Sequence, residues 1–264
     1  MTSTALISDI HGNAWALDRV LREIDRIGVE RIVCLGDIAV LGPNPSETTS
    51  RVRELAAVTV RGNVDAWLDP SIAPEIAAPP SEAGSKAMVA WARSRLSPGD
   101  MHWLTNLPMN ATLDLGAGYA LHAFHGTPSS CDGVISATTT NHELAEAFVI
   151  TNGFASVIAG GHTHVPLLRW HAHGVVVNPG SVGLPGVGPG APGLHRNRDV
   201  DWADFAIITI GDSAHPAITF HRIALDVNAM IEDARTTDMP EFAWWAARWR
   251  STASFSKTVT GSGA

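Results

Sequence analysis

Residues 157–166, VIAGGHTHVP, hold a short apolar run that ends in two glycines and then delivers His162 and His164 one residue apart. A run of this length, bounded by glycine, reads as a buried strand, and the histidines then stand on the loop just past its end. In open α/β sheets the loops beyond the carboxyl ends of neighbouring strands converge to build sites. If this segment is such a strand, other strands of the chain should end in the same manner.

Four more do. TALIS (residues 4–8) is followed by Asp9, Ile10, His11 and Gly12, and RIVCL (31–35) by Gly36 and Asp37. AAVTV (56–60) is followed by Arg61, Gly62 and Asn63, and YALHAF (119–124) by His125 and Gly126. Each apolar run thus ends in a side chain able to bind metal, with a glycine beside it that permits a tight turn and a close backbone approach.

The elements between these runs fit the same plan. From Asn13, a helix N-cap, Leu17, Val20, Leu21, Ile24 and Ile27 recur at helical spacing, and Gly28 supplies the stop. A second helix is expected over 46–55. Alternation of strand and helix predicts a parallel sheet covered on both faces. Residues 66–108 break the pattern with Pro70, Pro74, Pro79 and Pro80 before an amphipathic helix at 86–96, and read as a helical insertion that caps the sheet edge. Strands are expected again at 111–115, 119–124, 155–159, 167–171, 175–178, 205–210 and 217–223, with a helix at 142–151. Their close spacing implies hairpins and a second, mixed sheet. We expect one domain over residues 1–250 and a disordered tail over 251–264.

The seven side chains, Asp9, His11, Asp37, Asn63, His125, His162 and His164, comprise two carboxylates, one amide oxygen and four imidazoles. This mixture suits borderline transition ions such as Mn²⁺, Fe, Zn²⁺ or Ni²⁺, of which Mn²⁺ is the one expected, and is too rich in nitrogen for a Ca²⁺ or Mg²⁺ cage. Seven ligands exceed what one catalytic ion with an open position can use. Two divalent ions sharing a carboxylate fit better. Two aspartates and a hydroxide leave one of their four positive charges for an anionic phosphate ester.

Composition narrows the classes further. The chain has 264 residues, a net charge of −8, 45% hydrophobic and 17% charged residues. That charge argues against an extended nucleic-acid surface. Two cysteines, Cys34 and Cys131, make no disulfide framework, and no run reaches the ~18 apolar residues of a membrane span. A cytoplasmic protein that meets a small phosphate-bearing substrate is expected, with its oligomeric state open.

The ordered series D-x-H, GD, GN, HG, GHTH resembles the calcineurin-like metallophosphoesterase superfamily, small bacterial phosphodiesterase-like subgroup, and NPGSVG at 178–183 is similar to the sequence that follows in its small bacterial members. The resemblance implies an α/β fold, a four-layer αββα sandwich of two mixed β-sheets flanked by helices. It also implies that Asp9, His11, Asp37 and His164 hold one ion, that Asp37, Asn63, His125 and His162 hold the other, and that Asp37 and Asn63 belong to the catalytic machinery. The implied reaction is in-line attack on phosphorus by a metal-bridging hydroxide. Where many members carry a histidine after GN, this chain has Val64, so diesters with good leaving groups are favoured over unactivated monoesters. A phosphomonoesterase or protein phosphatase is the alternative. From another class, a non-catalytic interaction scaffold of the same fold is set against the fact that every ligand position is filled.

Other features carry less. Asp65 reads as an N-cap or a partner of a ligand, and His122 as structural, on the opposite face of its strand from His125. His171 and His173 repeat the H-x-H spacing without nearby carboxylates. The Gly/Pro-rich stretch 183–198 reads as a solvated loop, with a substrate lid bearing His195, Arg196 or Arg198 as the alternative. His102 and His195 are the candidates for a general acid. Phe242, Trp245 and Trp249 are expected to pack in the core rather than at an oligomer interface. An amidohydrolase would carry its H-x-H on the first strand, and a serine hydrolase would need G-x-S-x-G, which residues 180–183 do not match.

Overall fold

The computed structural model describes residues 2–72, 81–148, 157–171, 174–186, 200–211 and 215–249. Along the chain lie β1 (Thr2–Ile7), α1 (Ala14–Ile27), β2 (Arg31–Cys34), α2 (Pro45–Leu55), β3 (Val58–Thr59), α3 (Asn63–Ala66), α4 (Glu82–Arg95) and α5 (Pro98–Thr105). There follow β4 (Asn110–Gly116), β5 (Tyr119–Phe124), α6 (Asn141–Phe148), β6 (Val157–Ala159), β7 (Leu167–His171), β8 (Gly174–Asn178), β9 (Trp202–Ile210), β10 (Ala217–Ala224), α7 (Val227–Arg235) and α8 (Phe242–Ala246).

The strands form two five-stranded sheets, in the orders β10-β9-β1-β2-β3 and β4-β5-β6-β8-β7. Both are mixed. In the first, β1, β2 and β3 run parallel, β9 lies antiparallel to β1, and edge strand β10 lies antiparallel to β9; in the second, β5, β6 and β8 run parallel, with β4 and β7 antiparallel at the edges.

Strand alternation sorts the core into layers. Leu6, Val33, Leu35, Leu121, Ala123, Val157, Ala159, Val175, Val177, Ala206 and Ile208 meet between the sheets. The neighbours of these residues point outward. Ala5, Ile7, Cys34, Phe205 and Ile207 pack with Leu17, Val20 and Ile24 of α1, while Phe124, Ile158 and Val176 pack with Leu144 and Phe148 of α6. The result is a four-layer αββα sandwich, and it explains why the central strands read as unbroken apolar runs. Each fully buried aliphatic side chain of α1 contributes about 2 kcal/mol.

Local chemistry sets the helix limits. Asn13 accepts the Ala16 N–H at 3.1 Å, and Gly28 ends α1 with φ 80°. The strand expected at 56–60 is shorter than its apolar run, because Ala56 still caps α2 through its N–H to Val52 O; Val60 N–H nonetheless donates to Cys34 O. In the inserted stretch, Val89, Ala92, Leu96, Leu104 and Leu107 extend the helical layer over the first sheet. The turn after α5 reaches the free edge of β3, where Arg61 N–H donates to Pro108 O. Trp245 and Trp249 are buried with Met88, Val227 and Met230. The 251–264 tail, His173, His195 and most of the 183–198 stretch lie outside the described residues.

Candidate metal centre

All five strand tips point to the same end of the sandwich. Asp9 and His11 follow β1, Asp37 follows β2, Asn63 opens α3 just beyond β3, His125 follows β5, and His162 and His164 follow β6. The seven side chains are at most 9% exposed. They fall into two groups: the ligand atoms of Asp9, His11, Asp37 and His164 lie within 4.8 Å of one another, as do those of Asp37, His125 and His162. Asp37 belongs to both. Asn63 joins the second group, its Oδ1 lying 3.1 Å from His125 Nε2 and 3.1 Å from His162 Nδ1.

Backbone carbonyls orient three of the imidazoles. His11 Nδ1 lies 3.1 Å from Val40 O, His125 Nδ1 2.7 Å from Leu35 O, and His164 Nδ1 2.6 Å from Leu184 O. A carbonyl only accepts, so each Nδ1 carries its proton and donates, leaving Nε2 to face the centre. His162 N–H donates to Asp9 Oδ2 at 3.1 Å, which ties the GGHTH loop to the tip of β1.

The backbone is bent to make this convergence. Asp9, His11, Asp37, His162 and His164 all adopt positive φ, between 49° and 67°. Such conformations cost roughly 1 kcal/mol or more each and collect at functional sites; Asp and His tolerate them better than most residues. Gly62 is required for another reason: a Cβ there would lie 2.0 Å from Asp37 Oδ1.

Electrostatics follow from burial. Burial and the neighbouring imidazoles push His11 and His162 down to about 4. For His125 burial acts in the same direction, but the Asp37 carboxylate 3.3 Å from Nε2 prevails and raises it to about 10. Asp9 and Asp37 resist the upward pull of burial, since His164 and His125 respectively hold them below the usual carboxylate range. Burial and the Asp37 charge raise Asp65 to about 6.

The residues present fit a pair of metal ions. Asp9 Oδ1 is buried and, among the described residues, has no hydrogen-bond partner, although His164 Nε2 lies 3.2 Å away. An orphaned anionic acceptor among converging ring nitrogens is costly unless a cation fills the space.

Two further residues brace the centre. Asn178, at the end of β8, donates from Nδ2 to Gly161 O at 2.6 Å and to Thr163 Oγ1 at 3.0 Å. Ser181 Oγ donates to Asp9 O at 2.7 Å and accepts the Leu184 N–H at 2.8 Å. Both belong to the NPGSVG stretch, whose family resemblance is the signal in the sequence that marks this segment. Val64 is 2% exposed and its side chain packs in the core on the helical side of the first sheet. His102 is exposed on α5, where it contacts Asn106. His122 packs beside Phe124 and lies near Thr112 Oγ1, and His171 packs edge-on to Phe148.

Residues 3–196 match the model of the calcineurin-like phosphoesterase superfamily domain. An uncharacterized protein of Methanocaldococcus jannaschii is 25% identical over 243 residues, spanning 90% of this chain and 94% of its own. The phosphodiesterase YfcE of Escherichia coli K12 is 25% identical over 208 residues, spanning 75% and 89%. A crystal structure of a metallophosphoesterase from Sphaerobacter thermophilus superposes with a TM-score of 0.67 at 25% identity, over 94% of this chain and 99% of that one. A hypothetical protein from Pyrococcus horikoshii shares the fold, with a TM-score of 0.72 at 20% identity over 91% and 95%.

Proposed function

Because the chain belongs to the calcineurin-like phosphoesterase superfamily, we propose that it is a dinuclear metal-dependent phosphoesterase that hydrolyses small phosphodiesters. The observation that carries this reading is the position of Asp37, common to two groups of buried ligand atoms. Asp9, His11, Asp37 and His164 would hold one ion, and Asp37, Asn63, His125 and His162 the other; Mn²⁺ is the ion proposed, and Fe, Zn²⁺ and Ni²⁺ also suit this mixed oxygen and nitrogen set. Two such ions, when bound, supply an activated water for attack on phosphorus and neutralise charge on the phosphoryl oxygens.

The chain's own residues do the rest. The carbonyls of Val40, Leu35 and Leu184 hold the imidazoles of His11, His125 and His164 in one tautomer and orientation. Asp37 Oδ1 accepts the Val64 N–H at 3.0 Å, so Oδ2 is the oxygen turned toward His11 and His125. With Val64 buried in the core, that position offers no proton to a leaving group, which favours esters of acidic alcohols. YfcE is named a phosphodiesterase, which supports the same preference. Free Cys34 and Cys131 support a reducing, cytoplasmic setting.

The test is metal analysis of purified protein together with turnover of bis- and mono-p-nitrophenyl phosphate. We expect two transition ions per chain and faster turnover of the diester with Mn²⁺. No bound metal and no Mn²⁺-stimulated turnover of either ester would sink the enzyme in favour of a scaffold.

A further inference from the structure

Asp65 is completely buried, and both of its oxygens accept main-chain N–H groups. Oδ2 accepts from Asp37 at 2.8 Å and from Gly62 at 3.0 Å, and Oδ1 accepts from Ile38 at 2.9 Å. One carboxylate therefore fastens the turn after β2 to the turn after β3. These two turns carry Asp37 and Asn63.

The fastening is reciprocal. Asp65 takes the N–H of Asp37, while the residue before it, Val64, gives its N–H to Asp37 Oδ1. The ring of contacts fixes the backbone of Asp37, at φ 57°, and the rotation of its carboxylate together. Gly62 sits against the Asp37 side chain with no room for a Cβ, so neither turn can close further on the other.

We propose that Asp65 is a positioning residue that makes Asp37 a shared ligand, so that losing it uncouples two ions rather than abolishing metal uptake. The inference rests on the dinuclear reading above. A carboxylate presents acceptors only, whereas an asparagine in the same place must turn an NH₂ toward one of the three N–H groups. Asp65→Asn therefore preserves shape while breaking the clasp. Asp37 Oδ2 then loses its fixed direction between His11 and His125.

The experiment uses the full chain loaded with Mn²⁺ as the probe, in the wild type, Asp65→Asn and Asp65→Glu. Thermal melting reports folding, calorimetric titration reports the two binding steps, and electron paramagnetic resonance reports whether two Mn²⁺ ions are exchange-coupled through a common ligand. We expect the wild type to give the coupled spectrum. Both variants should give the spectrum of isolated Mn²⁺, with the weaker step reduced roughly 10- to 100-fold and the tighter step nearly unchanged. A coupled spectrum with both steps intact in the variants overturns the inference and leaves the dinuclear reading standing. A wild type that binds one ion or none overturns the dinuclear reading, and the inference with it. Variants that fail to fold even with Mn²⁺ present also overturn it, since Asp65 would then be a requirement of the fold itself.

Discussion

His11 Nε2 and His164 Nε2 face each other at 3.1 Å across buried space, with the Nδ1 proton of each already committed to a backbone carbonyl. With both rings neutral, two acceptor nitrogens face each other without a proton between them. A cation between them satisfies both. Removing metal with a chelator should therefore lower the melting temperature, because an ion at 100 times its dissociation constant stabilises the folded state by about 2.7 kcal/mol. In a chain of this size that corresponds to roughly 5–10 °C. His164→Ala should abolish most of the difference. Scanning calorimetry with and without chelator checks this, and identical melts for the wild type would remove the cation.

The metal-free protein should be most stable near pH 6.5. His11 and His162 are pushed down to about 4 in the fold, so the unfolded chain binds more protons between about 4 and the ordinary histidine value, and stability rises with pH across that window. His125 is held up at about 10, so its contribution is full below about 6.5 and is lost as pH climbs toward 10. Metal binding needs neutral His125, so loading at pH 8 should release about one proton from this residue. Melting curves against pH, and calorimetry in buffers of differing ionisation enthalpy, test both halves. An alkaline loss of stability equally steep with ions bound would refute the assignment to His125.

Asn178→Ala should loosen the GGHTH loop. It removes two donors, to Gly161 O and Thr163 Oγ1, and an acceptor for the Gly180 N–H. A loss of about 1–3 kcal/mol is expected from chemical denaturation, along with metal affinity weaker by about tenfold. Unchanged affinity would show that the loop keeps its shape without this brace.

Rates for a series of aryl phosphodiesters should fall steeply as the leaving-group pKa rises, because Val64 turns into the core. A flat dependence, with chemistry limiting, would mean that another side chain donates the proton. Asp37→Asn should abolish turnover throughout the series.

The parts of this protein that are legible in its sequence are those governed by short-range pattern. The runs 4–8, 31–35 and 119–124 become strands because their alternate residues fill two layers of core, and each ligand stands one to five residues past such a run. The remainder is set by distant contacts. Ser181 reaches Asp9 across 172 residues of chain, and no local periodicity encodes that meeting. The resemblance at NPGSVG flags the segment without saying what it touches. Asp65 reads as a cap or a partner, and its three backbone acceptances depend on the register of β2 against β3. Positive φ at five ligand residues is equally hidden, since glycine neighbours announce a turn but not which residue takes the strained angle.

The dependence of His164 on Leu184, and of the Asp9 carbonyl on Ser181, fixes an order of events. When the first 165 residues have been synthesised, every ligand is present, yet the segment that orients His164 and holds the Asp9 carbonyl is not. The ligands can be complete in composition and still disorganised. Complete bracing of the centre therefore requires β8 beside β6 and the turn beyond it. The last supports of the centre are thus also the last of its parts to be synthesised.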